Sequence, residues 1–220
     1  MTNEFFTDIF EAITLGTLND VKSFVEEKGA DVNAKSDVGW LPFRDSGRTT
    51  LHRAIHKGNL EIIKYLLSKG ADINERDDDG ETVLCRAAWF NRADLVDFFV
   101  LQGVDVNENG SKSNHSGGTA LHVLAGYDPA DDLAKRIEIA QFLVSHGADV
   151  NARNKNGYTP LHVAAQYYKT EFVQFLVSQG ADLNATNDDG KTPFRLAIDE
   201  DDEDKAAFFD FLISKGAQLS

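Results

Sequence analysis

Apolar residues fall into one triplet that recurs six times along the chain. Counting eight, five and four residues back from a recurring glycine gives Val21, Phe24 and Val25; Ile62, Tyr65 and Leu66; Leu95, Phe98 and Phe99; Ile139, Phe142 and Leu143; Phe172, Phe175 and Leu176; and Phe208, Phe211 and Leu212. The i, i+3, i+4 spacing puts each triplet on one side of a helix. All three positions, including the middle slot that is aromatic in every copy, are expected in the core. The glycines that follow are Gly29, Gly70, Gly103, Gly147, Gly180 and Gly216. Glycine stops a helix because it takes the left-handed conformation without a Cβ penalty. After it comes a fixed phrase: Gly29-Ala30-Asp31-Val32-Asn33, then Gly70-Ala71-Asp72-Ile73-Asn74, Gly103-Val104-Asp105-Val106-Asn107, Gly147-Ala148-Asp149-Val150-Asn151 and Gly180-Ala181-Asp182-Leu183-Asn184. A worn copy, Gly216-Ala217-Gln218-Leu219, ends the series. Steps of 41, 33, 44, 33 and 36 residues separate the glycines. A base period of 33 with local insertions signals stacked units, each too thin to bury its own faces.

Residues 157–184 are the cleanest copy. Thr159 is placed to cap a helix, and Pro160 suits the first helical position, where an amide is not needed. Leu161, Ala164 and Ala165 then fall at helical spacing and make a slim first helix. A second helix is predicted over about Glu171–Gln179. Asn187-Asp188-Asp189-Gly190 is a tight turn of residues that tolerate such geometry, and Thr192-Pro193-Phe194 opens the next unit.

The start phrase Gly157-Tyr158-Thr159-Pro160-Leu161-His162 has worn versions at Gly47–His52, Gly80–Cys85, Gly117–His122 and Gly190–Arg195. Together with the two helices and the closing phrase, it resembles the ankyrin repeat. That resemblance implies an all-α, L-shaped solenoid of six helix-turn-helix units with a concave groove, forming one domain over 1–220. The approximate repeats are 1–34 (an N-terminal cap), 47–79, 80–112, 117–156, 157–189 and 190–220 (a C-terminal cap). It also implies that the start-phrase histidines tie adjacent turns together, and that partners bind along the groove made by turn tips and first helices.

Carried across position by position, the groove residues in the turns include Arg76, Asp78, Asp79 and Glu81; Arg153, Lys155, Asn156 and Tyr158; and Thr186, Asp188, Asp189 and Lys191. At the ends of the first helices they include His56 and Lys57, Trp89 and Phe90, Gly126 and Tyr127, and Gln166 and Tyr167. Tyr168 stands where the pattern has glycine. Exposed Trp and Tyr are common interface anchors, so Trp89, Tyr127, Tyr158 and Tyr167 are candidates for an aromatic stripe. Trp40 and Phe43 lie in an insertion, residues 34–46, that either folds back as a staple or is presented to a partner. A second insertion, 108–116, has the composition of a loop. A third, after Tyr127, predicts a second helix about two turns longer than the others, starting near Pro129. The acidic run 199–204 is expected to be a solvated loop or a docking site for a basic peptide.

Charge sharpens the expected partner. Asp and Glu outnumber Lys and Arg by 36 to 22, a net charge of -14. Such a surface disfavours nucleic acid and anionic membranes and favours a protein with a basic or amphipathic surface. Neither a signal peptide nor a membrane-spanning run is evident, and the single cysteine, Cys85, cannot form an internal disulfide; a cytoplasmic monomer is expected. His52 and His56 have metal-ligand spacing without an evident third ligand, and no nucleophile–base pair or phosphate loop emerges. The expectation is a non-catalytic protein-protein interaction module without cofactors. The alternatives are a self-associating scaffold or a metal-binding or enzymatic protein.

Overall fold

A computed structural model describes residues 7–36, 47–110, 117–126, 132–198 and 206–218. The described residues contain twelve helices and two isolated β-bridges. They fall into two compact units, residues 1–104 and 105–220. The first holds α1 (Ile9–Leu15), α2 (Leu18–Glu26), α3 (Thr50–Lys57), α4 (Leu60–Ser68), α5 (Val83–Trp89) and α6 (Ala93–Leu101). The second holds α7 (Ala120–Ala125), α8 (Leu133–Ser145), α9 (Pro160–Gln166), α10 (Thr170–Ser178), α11 (Pro193–Ile198) and α12 (Ala206–Ser214). Odd-numbered helices form one layer of each unit, with α3 packed between α1 and α5, and α9 between α7 and α11. Even-numbered helices pack behind them, α2 on α4 and α8 on α10.

Local chemistry explains these elements. The hydroxyls of Thr49, Thr82 and Thr159 accept the amide hydrogens of His52, Cys85 and His162 and so cap the first helices. The six closing glycines all have positive φ, between 68° and 91°. The phrase after them divides its labour. Ala71, Ala148 and Ala181 and Val32, Val106 and Val150 are buried. Each aspartate closes a local turn, as Asp31 does by accepting the Asn33 amide at 2.8 Å. Four of the asparagines then reach the next copy. Asn151 donates to the Gly180 carbonyl at 3.1 Å and accepts the Asp182 amide at 2.8 Å. Asn33 does the same with Gly70 and Asp72, Asn107 with Gly147 and Asp149, and Asn184 with Gly216 and Gln218. The chain pinches closed at the base of two insertions, where Lys35 bridges Thr49 and Gly110 bridges Gly118.

Two expectations need correction. The middle aromatic of the triplet is buried in α2 (Phe24) and α10 (Phe175), but Tyr65, Phe98, Phe142 and Phe211 are only half-buried. They sit at the rim of the stripe, where one side meets solvent. The helix α8 is thirteen residues against nine in α10, one turn longer rather than two, and begins at Leu133. Asp132 caps it by accepting the Lys135 amide at 3.2 Å. That start turns Arg136 inward, where it is 2% exposed. Its guanidinium donates to the carbonyls of Gly126 at 2.8 Å and Val123 at 3.1 Å, closing the end of the six-residue α7. Arg136→Met should therefore cost about 2 kcal/mol, because apolar bulk is kept while two helix-end carbonyls lose a charged donor; urea unfolding followed by circular dichroism measures it.

Candidate protein-interaction face

The start-phrase histidines form the frame on which the candidate residues are mounted. The Thr119 amide donates to His122 Nδ1 at 3.1 Å, which makes that nitrogen an acceptor. Nε2–H then donates to the Tyr158 carbonyl, 2.9 Å away in the next copy. His162 repeats the pattern, taking the Thr159 amide on Nδ1 and donating to the Lys191 carbonyl at 3.0 Å. His52 joins Thr49 Oγ1 to the Glu81 carbonyl, at 2.7 and 3.0 Å. Each ring thus spends one nitrogen on its own cap and the other on the following turn, and both roles require the neutral form. Burial pushes His52 down to about 3 and His122 to about 4, against a smaller opposing pull from the carbonyl each ring donates to, and also lowers His162. Gly118 is required here: a Cβ on it would lie 2.6 Å from the His122 ring.

In the first unit, a buried ionic chain leads outward to the candidate surface. Arg48 Nη1 lies 3.1 Å from Asp77 Oδ2 and 2.9 Å from Glu81 Oε2; Arg86 Nη1 lies 3.1 Å from the same Glu81 oxygen. The Arg86 guanidinium sits over the Phe90 ring at 4.7 Å, and the His56 ring packs on Phe90 at 4.9 Å. Phe90 and His56 are half-buried, as is Trp89 at the end of α5. The structure thus brings His56 and Phe90 into direct contact and places Arg86, which sequence reasoning did not single out, on the same Phe90 ring. The available signal was position: Arg86 occupies the slot after the histidine site, where α7 and α9 carry Val123 and Val163. Glu81, expected among the variable groove residues, is 4% exposed and belongs to the buried ionic chain. Arg76 is half-buried and donates to the Gly80 carbonyl of its own turn at 2.8 Å, while its own carbonyl accepts from Lys35 Nζ at 2.9 Å.

In the second unit, Gln166 is exposed at the end of α9, and Tyr167, half-buried, follows it as the C-cap. Burial raises the Tyr167 hydroxyl above its ordinary range. The Tyr158 ring is half-buried against His162, centroids 5.5 Å apart. Arg153 spans two turn tips, donating to the Thr186 carbonyl at 2.6 Å and pairing with Asp188 at 3.1 Å. Tyr168 adopts φ 52°, and Asn91 at the equivalent position of the first unit φ 55°, where Gly58 has 68°. The tyrosine is held there by its hydroxyl, which donates to the Ala197 carbonyl at 2.6 Å, and by edge packing on Phe208 at 5.7 Å. Trp40, Phe43 and Tyr127 lie outside the described residues, as do most of the insertions that carry them. Among the described residues, no three His, Cys, Asp or Glu side chains gather as a metal site, and no helix is long and apolar enough to cross a membrane.

A family model described as ankyrin repeats (3 copies) matches residues 9–110 and 130–220. The chain belongs to the ankyrin repeat family. Among similar proteins, human protein phosphatase 1 regulatory subunit 27 is 40% identical over 147 residues, covering 66% of this chain and 65% of its own length. Putative ankyrin repeat protein FPV230 of fowlpox virus (strain NVSL) is 32% identical over 119 residues, 53% of this chain and 56% of its own. Mouse protein phosphatase 1 regulatory subunit 12A is 45% identical over 58 residues, 26% of this chain and 5% of its own. The chain therefore spans less than two thirds of each of these relatives. Ankyrin repeats together with relatives named as regulatory subunits indicate a protein-protein interaction role.

Proposed function

We propose that this ankyrin repeat chain is a non-catalytic module that binds a partner protein through its turn tips and the C-terminal ends of its first helices. One observation carries the reading. The polar chemistry of the start and closing phrases is consumed by the frame, with His52, His122 and His162 locked onto the following turns. The half-buried or exposed groups Trp89, Phe90, Gln166 and Tyr167 remain at the helix ends, and half-buried Tyr158 in the turn before α9. Half-buried aromatics supply contact area at low entropic cost when a partner completes their burial. The charge of -14 would speed encounter with a basic or amphipathic partner and repel nucleic acid and anionic membranes. The names of the regulatory-subunit relatives make protein phosphatase 1 the first partner to test.

The test is titration calorimetry of the phosphatase, then of affinity-captured partners, against the whole chain and the double variant Trp89→Ala/Tyr158→Ala. Binding should weaken about a hundredfold or more, the loss of two aromatic anchors, while the circular dichroism spectrum stays unchanged. Equal affinity in both proteins would move the binding surface away from the helix ends.

A further inference from the structure

The repeats allow each copy to be compared with five others, and α6 departs from its counterparts. One register position lies two residues before the closing glycine. Serine fills it in four copies, Ser68, Ser145, Ser178 and Ser214, and Glu27 fills it in the first. Each serine hydroxyl folds back onto the carbonyl three residues earlier, at 2.6–2.7 Å. In α6 the position is Leu101, which is 71% exposed, the highest among the exposed large apolar side chains of the described residues.

A second departure lies beside it. The residue just before the closing glycine covers the middle aromatic four positions earlier. Lys28 sits over Phe24 at 3.8 Å, Lys69 over Tyr65 at 5.6 Å, His146 against Phe142 at 4.1 Å and Lys215 over Phe211 at 5.8 Å. In α10 the position is Gln179, but there Phe175 is buried. In α6 it is Gln102, and Phe98 is half-buried without that cationic cover.

The third departure is charge. In the preceding copy, at the equivalent positions of α4, Glu61 and Lys64 pair at 3.6 Å. On α6 the same two positions are Asp94 and Asp97, so acids stand on both sides of Phe98 and Leu101 where α4 carries one acid and one base.

From these three departures we infer that the exposed side of α6, centred on Phe98 and Leu101 and flanked by Asp94 and Asp97, is a second protein-docking surface for a helical segment of a partner that carries an apolar face edged by basic residues. An apolar centre with a charged rim is the anatomy of a small interface. The charge selects the occupant, because a second copy of this chain would bring another -14 to the contact.

The experiment uses the full chain, isotope-labelled, titrated with a lysine-flanked, leucine-faced helical peptide and with its glutamate-flanked counterpart. The lysine peptide should shift the amide resonances of 94–102, weaken with salt, and bind about tenfold more weakly to Leu101→Ser, the loss of one leucine contact. The glutamate peptide should not bind. Leu101→Ser installs the residue of the other repeats at an exposed position, so its circular dichroism spectrum should match the parent. The Trp89→Ala/Tyr158→Ala variant should bind the lysine peptide like the parent, which separates this surface from the helix-end face. Equal affinity of Leu101→Ser and parent, shifts spread over the whole acidic surface, or no binding would overturn the inference. So would a dimer in sedimentation that Leu101→Ser abolishes, which would assign the patch to a second copy.

Discussion

Glu81→Ala should destabilise the protein by about 3–5 kcal/mol, the cost of leaving buried guanidinium groups without their carboxylate. Glu81 accepts from both Arg48 and Arg86, and all three side chains are at most 10% exposed. Asp77 remains to hold Arg48 at 3.1 Å, whereas the link between the two arginines disappears. Both tryptophans, Trp40 and Trp89, lie in residues 1–104, so tryptophan fluorescence in urea reports the unit that contains the ionic chain. Glu81→Gln, which keeps an acceptor oxygen, should lose less. Replacing Arg48, Glu81 and Arg86 together by apolar residues of similar size should also cost less than removing the acid alone, because the desolvation penalty goes with the charges. A Glu81→Ala protein as stable as the parent would mean the arginines are neutralised elsewhere. The same substitution should loosen Phe90, since the Arg86 head that lies under its ring at 4.7 Å is held by Glu81.

Acid should unfold this protein well above the range in which carboxylates titrate. In the folded chain burial holds His52 near 3 and His122 near 4, and His162 is lowered as well. An unfolded histidine titrates near 6.5. Between those values the unfolded chain binds protons that the folded chain refuses, so stability is full above about pH 6.5 and falls as pH drops. The loss is a little over 1 kcal/mol per pH unit for each ring, or about 2 kcal/mol each for His52 and His122 at about pH 5. Urea midpoints at about pH 7.5 and about pH 5 measure the sum. His122→Leu should lower stability at the higher pH yet flatten the pH dependence by about one proton. Coincident midpoints at the two pH values would contradict the neutral, doubly bonded state of the rings.

Much of the ankyrin architecture was legible because it is written in short-range chemistry. A threonine cap, a proline in the first turn and a closing glycine act within one helical turn, so Thr159, Pro160 and Gly180 do in the structure what their types and spacing predict. The histidine bridges were legible only through the family resemblance. Their partners are carbonyls 29 to 36 residues away, which no local rule can find.

The candidate site was less legible. Glu81 and Arg76 share a turn, both polar and both at positions expected to vary. One is buried in an ionic chain and the other is half-buried at the turn tip, because Arg48 of the preceding copy arrives beside Glu81. The start of α8 went the same way. Asp128-Pro129 reads well as a helix opening, but Asp132 captures the Lys135 amide and Arg136 closes the end of α7.

By itself, then, the sequence determined the period, the helix pairs, their caps and the acidic balance, because those follow from neighbours in the chain and from composition. The tertiary structure decided which copies of a repeated slot are buried. Phe175 and Phe98 hold the same register position, yet one is buried and the other half-exposed beside an exposed leucine. Burial is set by what packs across from a residue, and six similar strings of letters do not have six similar neighbours.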